Sequence, residues 1–289
     1  MRSLRGEGRF GDGGKEFSSF FTMTAIDETG FTTIRFDRIG TVLRVTIDNP
    51  SSDINAVDEA LHTDLARLFE RLRHEDEARA ILLTGSKKAF CAGGDFNWFP
   101  TLDNTRKLDL LRRDGKSIIW DLLDVELPIV CALNGHAMGL GASIALLCDT
   151  IFMADTARIG DPHVRVGIVA GDGGVAIWPL VVGPALAKRF LMTGDHLTAA
   201  HAERLGLVTH VVSSDLLADE SLAFAQRLAG GATMAIRYTK MAVNKLVKDA
   251  LNTAFDSSMG HELVTFFSDD HKEALAAFAE RRDPNFVGY

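Results

Sequence analysis

The stretches A-F-C-A-G-G-D-F at residues 89–96 and N-G-H-A-M-G-L-G-A-S at residues 134–143 decide the fold of this chain. Each follows an apolar run typical of a buried strand, residues 80–83 for the first and residues 127–133 for the second. Glycine in a turn after a strand lets backbone N–H groups approach a ligand closely. If both turns point at one place, their amides form an oxyanion hole.

Strand and helix patterns alternate around these turns. Residues 41–47 alternate in hydropathy like a strand, residues 57–73 have the apolar spacing of an amphipathic helix, and a polar helix is expected at residues 106–123. Beyond about residue 198 strand patterns nearly vanish, and residues 214–280 favour successive helices. The pattern predicts an α/β fold in which helices cover parallel strands, followed by a helical C-terminal module.

The two glycine stretches resemble the motifs A-F-x-A-G-x-D and N-G-x-A-x-G-x-G of the enoyl-CoA hydratase/isomerase (crotonase) family. Residues 160–174, 191–208 and 276–286 are similar to later segments of that family, so the resemblance covers about residues 31–289. It implies a crotonase-like ββα spiral core and a C-terminal helical oligomerisation module. It also implies a homotrimer or a dimer of trimers.

The expected organisation has three parts. Residues 1–30 are expected to be a mobile leader, within which Met23 could be the start of translation, residues 31–213 the spiral core, and residues 214–289 the helical module. No signal-peptide h-region or uninterrupted apolar span of about 18–20 residues is found in the sequence, so we expect a cytoplasmic protein with no membrane partner.

The resemblance assigns the oxyanion hole to the amides of Gly94 and Leu140. The family holds acyl-CoA thioesters, and two N–H donors at the carbonyl oxygen would stabilise the enolate formed when a proton is removed or a nucleophile added. Asp95 is expected to brace its turn rather than to react. Leu140 stands where the family usually has glycine, so its backbone angles must suit a side chain.

Coenzyme A is expected only as part of the substrate, with no prosthetic group. Ala92 lies in the first glycine motif, and Phe278 and Arg281 match an aromatic-x-x-basic pattern with which a neighbouring subunit's last helix contacts CoA in the family. From spacing alone, helix packing with a solvated arginine is an equally good interpretation of Phe278 and Arg281.

The acid–base positions depart from the family's hydratases. Two glutamates are common there, but the corresponding positions hold Ser143 and His163. A hydration mechanism with two carboxylates is therefore not available. Ser143 could hold a water, although hydrogen bonding to its own helix is the simpler interpretation.

His163 and Asp172 are the candidates for proton transfer. Imidazole is well suited to proton transfer near neutral pH, and a carboxylate in reach would orient it. The spacing D-P-H…G-I-V-A-G-D-G locally resembles 6-oxocamphor hydrolase, a crotonase-fold enzyme that cleaves a carbon–carbon bond of a β-diketone. The alternative is a solvated loop histidine and a helix-capping aspartate.

Three functions remain open on this basis. The first, which is the function that we expect, is an enzyme that acts on an acyl-CoA through a stabilised enolate, by hydration, isomerisation or carbon–carbon cleavage, with His163 and Asp172 as the proton-transfer groups. The second is a hydrolase of free β-diketones with no need for CoA, which the pattern of Phe278 and Arg281 disfavours. The third is a non-catalytic or RNA-binding homologue, which the net charge of −8 disfavours, since nucleic-acid partners call for basic surfaces.

Other candidates carry less weight. For Arg165 and Trp178, a place in the lining of the acyl pocket and plain packing are equally good interpretations. His136 is expected to be structural. Consecutive residues at 269–271 suggest a metal cluster only superficially, because they point in different directions on a helix, so no metal is predicted. The chain's cysteines lie in apolar contexts and are expected to be reduced and buried. They are Cys91, Cys131 and Cys148.

Overall fold

A computed structural model describes residues 24–289. Its strands are β1 (Ile34–Ile39), β2 (Val42–Ile47), β3 (Ala80–Gly85), β4 (Ala89–Cys91), β5 (Ile129–Leu133), β6 (His136–Met138), β7 (Thr150–Ala154), β8 (Arg158–Gly160), β9 (His196–Thr198) and β10 (His210–Val212). Its helices are α1 (Glu59–Leu72), α2 (Thr105–Asp124), α3 (Leu140–Leu146), α4 (Gly174–Thr193), α5 (Ala199–Arg204), α6 (Leu217–Ala229), α7 (Thr233–Thr265) and α8 (Asp269–Glu280). Short 3₁₀ turns occupy Phe99–Thr101 and His163–Val166.

Two sheets form the core of the fold. The larger sheet has the strand order β1-β2-β3-β5-β7-β10 and is parallel apart from the antiparallel pair β1–β2. The smaller sheet has the order β4-β6-β8-β9 and is parallel apart from the pair β8–β9. The predicted α/β class and the parallel strands are therefore confirmed.

The local sequence explains these elements. β5 is buried at every residue, as expected for a central parallel strand covered on both faces. Asp58 caps α1 by accepting a hydrogen bond from the Leu61 N–H, and the apolar side of α1 is buried. The predicted strands at 41–47 and 80–83 and the predicted helices at 57–73 and 106–123 are present, and the apolar run at 127–133 forms a strand from Ile129 onward.

The glycine stretches hold more strand than the sequence suggested. Both were interpreted as turns directly after strands, but Ala89–Cys91 and His136–Met138 form β4 and β6 of the smaller sheet. The chain leaves the larger sheet after β3 and after β5. Within a few residues it forms β4 and β6, which pair with each other in the smaller sheet. Each glycine turn thus begins at the carboxyl end of a short strand of the smaller sheet.

The expected leader overlaps the described chain only at residues 24–30. Within that stretch Ile26 is buried and its N–H donates to Glu75, while the Arg71 guanidinium donates to the carbonyls of Asp27 and Thr29. These bonds tie the segment to α1 and to the turn after it, so the folded part begins before residue 31. The rest of the expected leader, and Met23, lie outside the described residues.

The C-terminal part is helical, as expected. Helix α6 packs on β3 and β5, and the 33-residue helix α7 packs against α2 and α4. Helix α4 is long and apolar enough to cross a membrane by length and composition alone. Its backbone, however, is broken at Gly183 (φ 78°, ψ 159°) between Pro179 and Pro184. Each half is far shorter than the about 20 residues that a bilayer requires.

Candidate active site

The two glycine turns lie against each other. A Cβ on Gly141 would lie 2.3 Å from the Cys91 carbonyl oxygen, so only glycine permits this approach of the second turn to the first. The first turn is fixed by Val57, whose N–H donates to Gly93 and whose carbonyl accepts from Asp95. In the second turn the Gly139 N–H donates to the Gly160 carbonyl, so backbone hydrogen bonds hold both turns.

The Gly94 and Leu140 amides are available to a ligand. In the part of the chain from residue 24 onward, neither N–H donates a hydrogen bond within the protein. Both residues line one cavity, which also contains His163 and Asp172. Two unused donors bordering the same cavity are what an oxyanion hole requires.

Leu140 meets the condition set by the sequence. Gly139 takes the left-handed backbone at φ 52°, so Leu140 begins α3 with ordinary angles. Its N–H is unused because the first amides of a helix have no partner within the helix. Its side chain is 5% exposed and belongs to the core.

His163 is held between two carboxylates. Its Nδ1 lies 2.5 Å from Asp161 Oδ1, and its Nε2 lies 3.4 Å from Asp172 Oδ2. His163 and Asp172, which the sequence proposed as partners, are thus brought together. Asp161 stands in the same D-P-H segment, and sequence reasoning missed it.

Ser143 and Asp95 also take defined positions. The Ser143 hydroxyl lies 3.4 Å from Asp172 Oδ1, so from α3 it faces the cluster formed by Asp161, His163 and Asp172. Asp95 accepts hydrogen bonds from the backbone and the side-chain amide of Asn97. This is the bracing contact expected of Asp95.

Glu262 completes the cluster, and the sequence analysis did not identify it. It lies in the last turns of α7, is 5% exposed and borders the same cavity. Its Oε2 is buried without a hydrogen-bond partner in the described residues, and a Cβ on Gly171 would lie 2.4 Å from that atom. Gly171 therefore lets α7 bring this carboxyl up to the loop that carries Asp172.

Burial and mutual repulsion shift the titration of these groups. Burial raises the pKa of Asp172 to about 6. Burial and the nearby Asp172 charge raise the pKa of Glu262 to about 8. Burial disfavours the imidazolium of His163, but the carboxylates of Asp161 and Asp172 outweigh it and hold the pKa of His163 well above its usual value. At neutral pH the cluster therefore holds an ionised Asp172, a protonated Glu262 and an imidazolium.

Aromatic side chains close the cavity, which measures about 40 Å³. The ring of Phe99 covers Gly94 so closely that a Cβ there would lie 2.2 Å from Phe99 Cζ. Phe99 in turn packs edge-on against Phe266 and Phe96. A substrate larger than a few atoms must displace these rings.

The two residues predicted to contact CoA lie at the end of α8. Phe278 stacks on Phe96 of the same chain at 4.1 Å between ring centroids. Arg281 lies just beyond α8 with a left-handed backbone (φ 56°). The contact of these residues with the CoA of a neighbouring subunit stays a prediction. Ala92 borders a small second cavity that shares Gly94, Phe99 and His163 with the first.

Two pocket candidates lie elsewhere. Arg165 is exposed and pairs with Asp195 at 2.9 Å. Trp178 is fully buried in the core against Phe190. Neither borders the cavity, so of the two interpretations the structure favours plain packing for Trp178 and a surface ion pair for Arg165. His136 is exposed on β6.

The metal prediction concerned Asp269, Asp270 and His271, whose side chains have separate partners in Lys272, the backbone after α8 and the Val166 carbonyl. In the described part of the chain, a different group could hold a metal ion, since donor atoms of Asp161, His163 and Asp172 lie within 4.8 Å of one another. The short bond from Asp161 already uses one His163 nitrogen, which favours a proton network. The absence of a metal stays a prediction. The cysteines are free and buried, as expected.

Comparison with known proteins gives a consistent result. Residues 37–288 match the family model described as enoyl-CoA hydratase/isomerase. A protein of Mycobacterium leprae named probable enoyl-CoA hydratase is 33% identical over 265 residues, which cover 89% of this chain and 98% of the relative.

Solved structures agree with this match. An enoyl-CoA hydratase/isomerase from Mycobacterium paratuberculosis superposes with a TM-score of 0.81 at 34% identity, covering 85% of this chain and 98% of that one. A β-diketone hydrolase from the cyanobacterium Anabaena, bound to (S)-3-oxocyclohexyl acetic acid, superposes with a TM-score of 0.77 at 29% identity. The match covers 82% of this chain and 94% of the hydrolase.

Proposed function

The chain belongs to the enoyl-CoA hydratase/isomerase family. From that premise we propose that it hydrolyses a 1,3-dicarbonyl compound, cleaving the bond that joins one carbonyl carbon to the central carbon. The observation that carries this proposal is the cluster of His163, Asp172 and Glu262 beside the free amides of Gly94 and Leu140. The cluster offers a base and an acid, whereas the family's hydratase glutamates are replaced by Ser143 and His163.

The reaction balances without a co-reactant other than water. Water oxygen attacks one carbonyl carbon while its proton goes to a base, and the resulting alkoxide lies in the oxyanion hole. The bond between that carbon and the central carbon then breaks, and its electron pair forms an enolate with the second carbonyl. A proton returns to the central carbon, which yields a carboxylic acid and a ketone.

Asp172 and His163 act at the first step. Asp172, with a pKa near 6, is ionised at neutral pH yet basic enough to take the proton from water. His163, held by Asp161, orients this carboxylate and offsets the negative charge that develops. Glu262, with a pKa near 8, gives its proton to the central carbon, and the proton that Asp172 took from water then passes to Glu262, which returns both carboxyl groups to their starting states.

The approaches to the cavity support an uncharged substrate. A cleft of about 990 Å³ shares His62, Trp98 and Leu111 with the cavity. Its charged lining is mainly acidic, with five carboxyl side chains and two cations: Asp58, Glu59, Asp64, Asp95, Asp114, Arg67 and Lys107. The phosphates of a CoA ester would be repelled by this surface. The other approach, beside Ala92, is bordered by Phe96, on which Phe278 stacks.

An acyl-CoA thioester is the second candidate substrate. The oxyanion hole would polarise a thioester carbonyl as well as a ketone, and the relatives named above include enoyl-CoA hydratases. In this case CoA is part of the substrate, and no prosthetic group is required. His163 and Asp172 would then move the proton next to the thioester carbonyl.

The assembly that we propose is a homotrimer or a dimer of trimers. Large apolar side chains on α4 and α7 are exposed in the single chain, among them Leu180, Val243 and Leu246. Exposed apolar surface of this kind is typical of subunit interfaces. Light scattering that gives a monomer mass would contradict this assignment.

A substrate panel tests the proposed function. Purified enzyme is titrated with CoA and acetyl-CoA and assayed with cyclic 1,3-diketones and enoyl-CoA esters. We expect release of a keto acid from the diketones and no binding of CoA. Turnover of enoyl-CoA esters alone would overturn the hydrolase assignment in favour of the second candidate.

A further inference from the structure

His62 is a buried histidine with no assigned task. It lies on α1, is 5% exposed and packs against the ring of Trp98 at 5.4 Å between centroids. A Cβ on Gly115, which lines the active-site cavity, would lie 4.0 Å from His62 Nε2, and no hydrogen bond from either ring nitrogen to the protein is found within residues 24–289. Because buried polar groups are normally paired, an unpaired imidazole at a cavity wall indicates a ligand that is not part of the chain.

The position of His62 is suited to substrate contact. It borders both the active-site cavity and the wide acidic cleft, so any molecule that passes from one to the other meets its ring. Trp98 and Leu111 are the other two residues that border both spaces, and the Trp98 indole can only donate a hydrogen bond. Of these three residues, His62 is the one whose ring can both donate to and accept from an arriving substrate.

Its protonation state suits a neutral acceptor. Burial lowers the pKa of His62 to about 4, and no neighbouring charge contributes to that shift. The ring is therefore uncharged at neutral pH and presents one N–H donor and one nitrogen acceptor. A neutral donor can bind a carbonyl oxygen without adding charge to the cavity.

The proposed reaction needs a second donor. Cleavage of a 1,3-dicarbonyl places negative charge first on the attacked carbonyl oxygen and then on the other one, as the enolate forms. The amides of Gly94 and Leu140 serve a single oxygen. We propose that His62 is a substrate-recognition residue that donates its ring N–H to the second carbonyl oxygen of the 1,3-dicarbonyl. This assignment rests on the proposed function.

The test compares two ligands on three variants. The ligands are a cyclic 1,3-diketone and the matching cyclic monoketone, and binding is followed by calorimetry alongside KM and kcat for the diketone. His62→Leu removes the donor, His62→Asn restores a side-chain N–H, and His74→Leu is a matched control at an exposed histidine. Thermal melting of each variant reports on folding.

We expect His62→Leu to weaken diketone binding by about 5- to 100-fold and to leave monoketone binding unchanged, because one hydrogen bond is lost. His62→Asn should recover part of the loss, and His74→Leu should behave like the unmodified enzyme. Equal diketone binding by the unmodified enzyme and His62→Leu would overturn the assignment of His62 alone. Failure of the unmodified enzyme to bind or cleave any diketone would overturn the proposed function and this assignment together.

Discussion

The active-site cavity has two walls of different construction. One wall is backbone, the amides of Gly94 and Leu140 on two turns that follow strands of the smaller sheet. The other wall is side chain, with His163 and Asp172 on a loop and Glu262 on α7. The first wall requires only that the two turns hold their amides in place, so a leucine at position 140 is tolerated. The second depends on how a distant helix packs, and its charges are tuned by that packing.

Asp172→Asn should have the largest effect, because it removes the base from the side-chain wall. We expect kcat to fall by about 10²- to 10⁴-fold with the fold intact. Steady-state turnover of a 1,3-diketone is the measurement, with the exposed Asp53→Asn as the control. Turnover within a factor of two of the unmodified enzyme would show that Asp172 is not the base.

Leu140→Pro breaks the backbone wall without changing the side-chain wall. Proline has no N–H and is favoured in the first position of a helix, where Leu140 lies, so α3 should still form. We expect kcat to fall by about 10²- to 10³-fold, the usual effect of losing one oxyanion donor. Leu140→Ala keeps the amide and is the control, and equal rates for the two variants would contradict the role of the amide.

The side-chain wall predicts that activity depends on pH in a bell-shaped profile. Activity should rise as Asp172 ionises near pH 6 and fall as Glu262 loses its proton near pH 8. In Glu262→Gln the alkaline limb should be lost along with most of the rate. An unchanged alkaline limb in this variant would assign it to another group.

Glu262 should also make stability depend on pH. Its pKa in the folded state is raised above the ordinary value of 4.5 to about 8. Its contribution relative to glutamine is therefore present below pH 4.5 and is lost as the pH rises through 8, by a few kcal/mol at the order-of-magnitude level. Denaturant unfolding at pH 5 and pH 9 measures it. The unmodified protein and Glu262→Gln are compared at both pH values. A difference in unfolding free energy between them that does not change with pH would contradict the raised pKa.

Gly94→Ala probes how tightly the two walls enclose the cavity. The added Cβ would lie 2.2 Å from Phe99 Cζ, so we expect a loss of about 1–3 kcal/mol of stability from overpacking. In the double variant with Phe99→Ala the two losses should not add, because the clash disappears. Additive losses in a denaturant-based double-mutant cycle would show that Phe99 does not cover Gly94.

The backbone wall was predictable from the sequence. The glycines at 93, 94, 139 and 141 permit a left-handed backbone or a close approach, and these demands leave a local signature. The α/β class and the helical C-terminal part followed from hydropathy patterns for the same local reason. The short strands β4 and β6 were missed because three residues are too few for a periodic pattern.

The side-chain wall was predictable only in part. His163 and Asp172 share one loop, so their spacing was visible, whereas Glu262 reaches the cavity through the packing of α7. A weak signal existed, because Glu262 follows Phe255 and Met259 on the buried face of α7, where a charged residue is unexpected. His62 gave no signal beyond the periodicity of α1.

The most direct test concerns a single carbonyl shared by the two free amides. The infrared spectrum of a bound, ¹³C-labelled cyclic ketone can be compared between the unmodified enzyme, Leu140→Ala and Leu140→Pro. We predict that the carbonyl stretch lies well below its value in water for the first two proteins and moves back towards it in Leu140→Pro. The same stretching frequency in all three proteins would contradict the account.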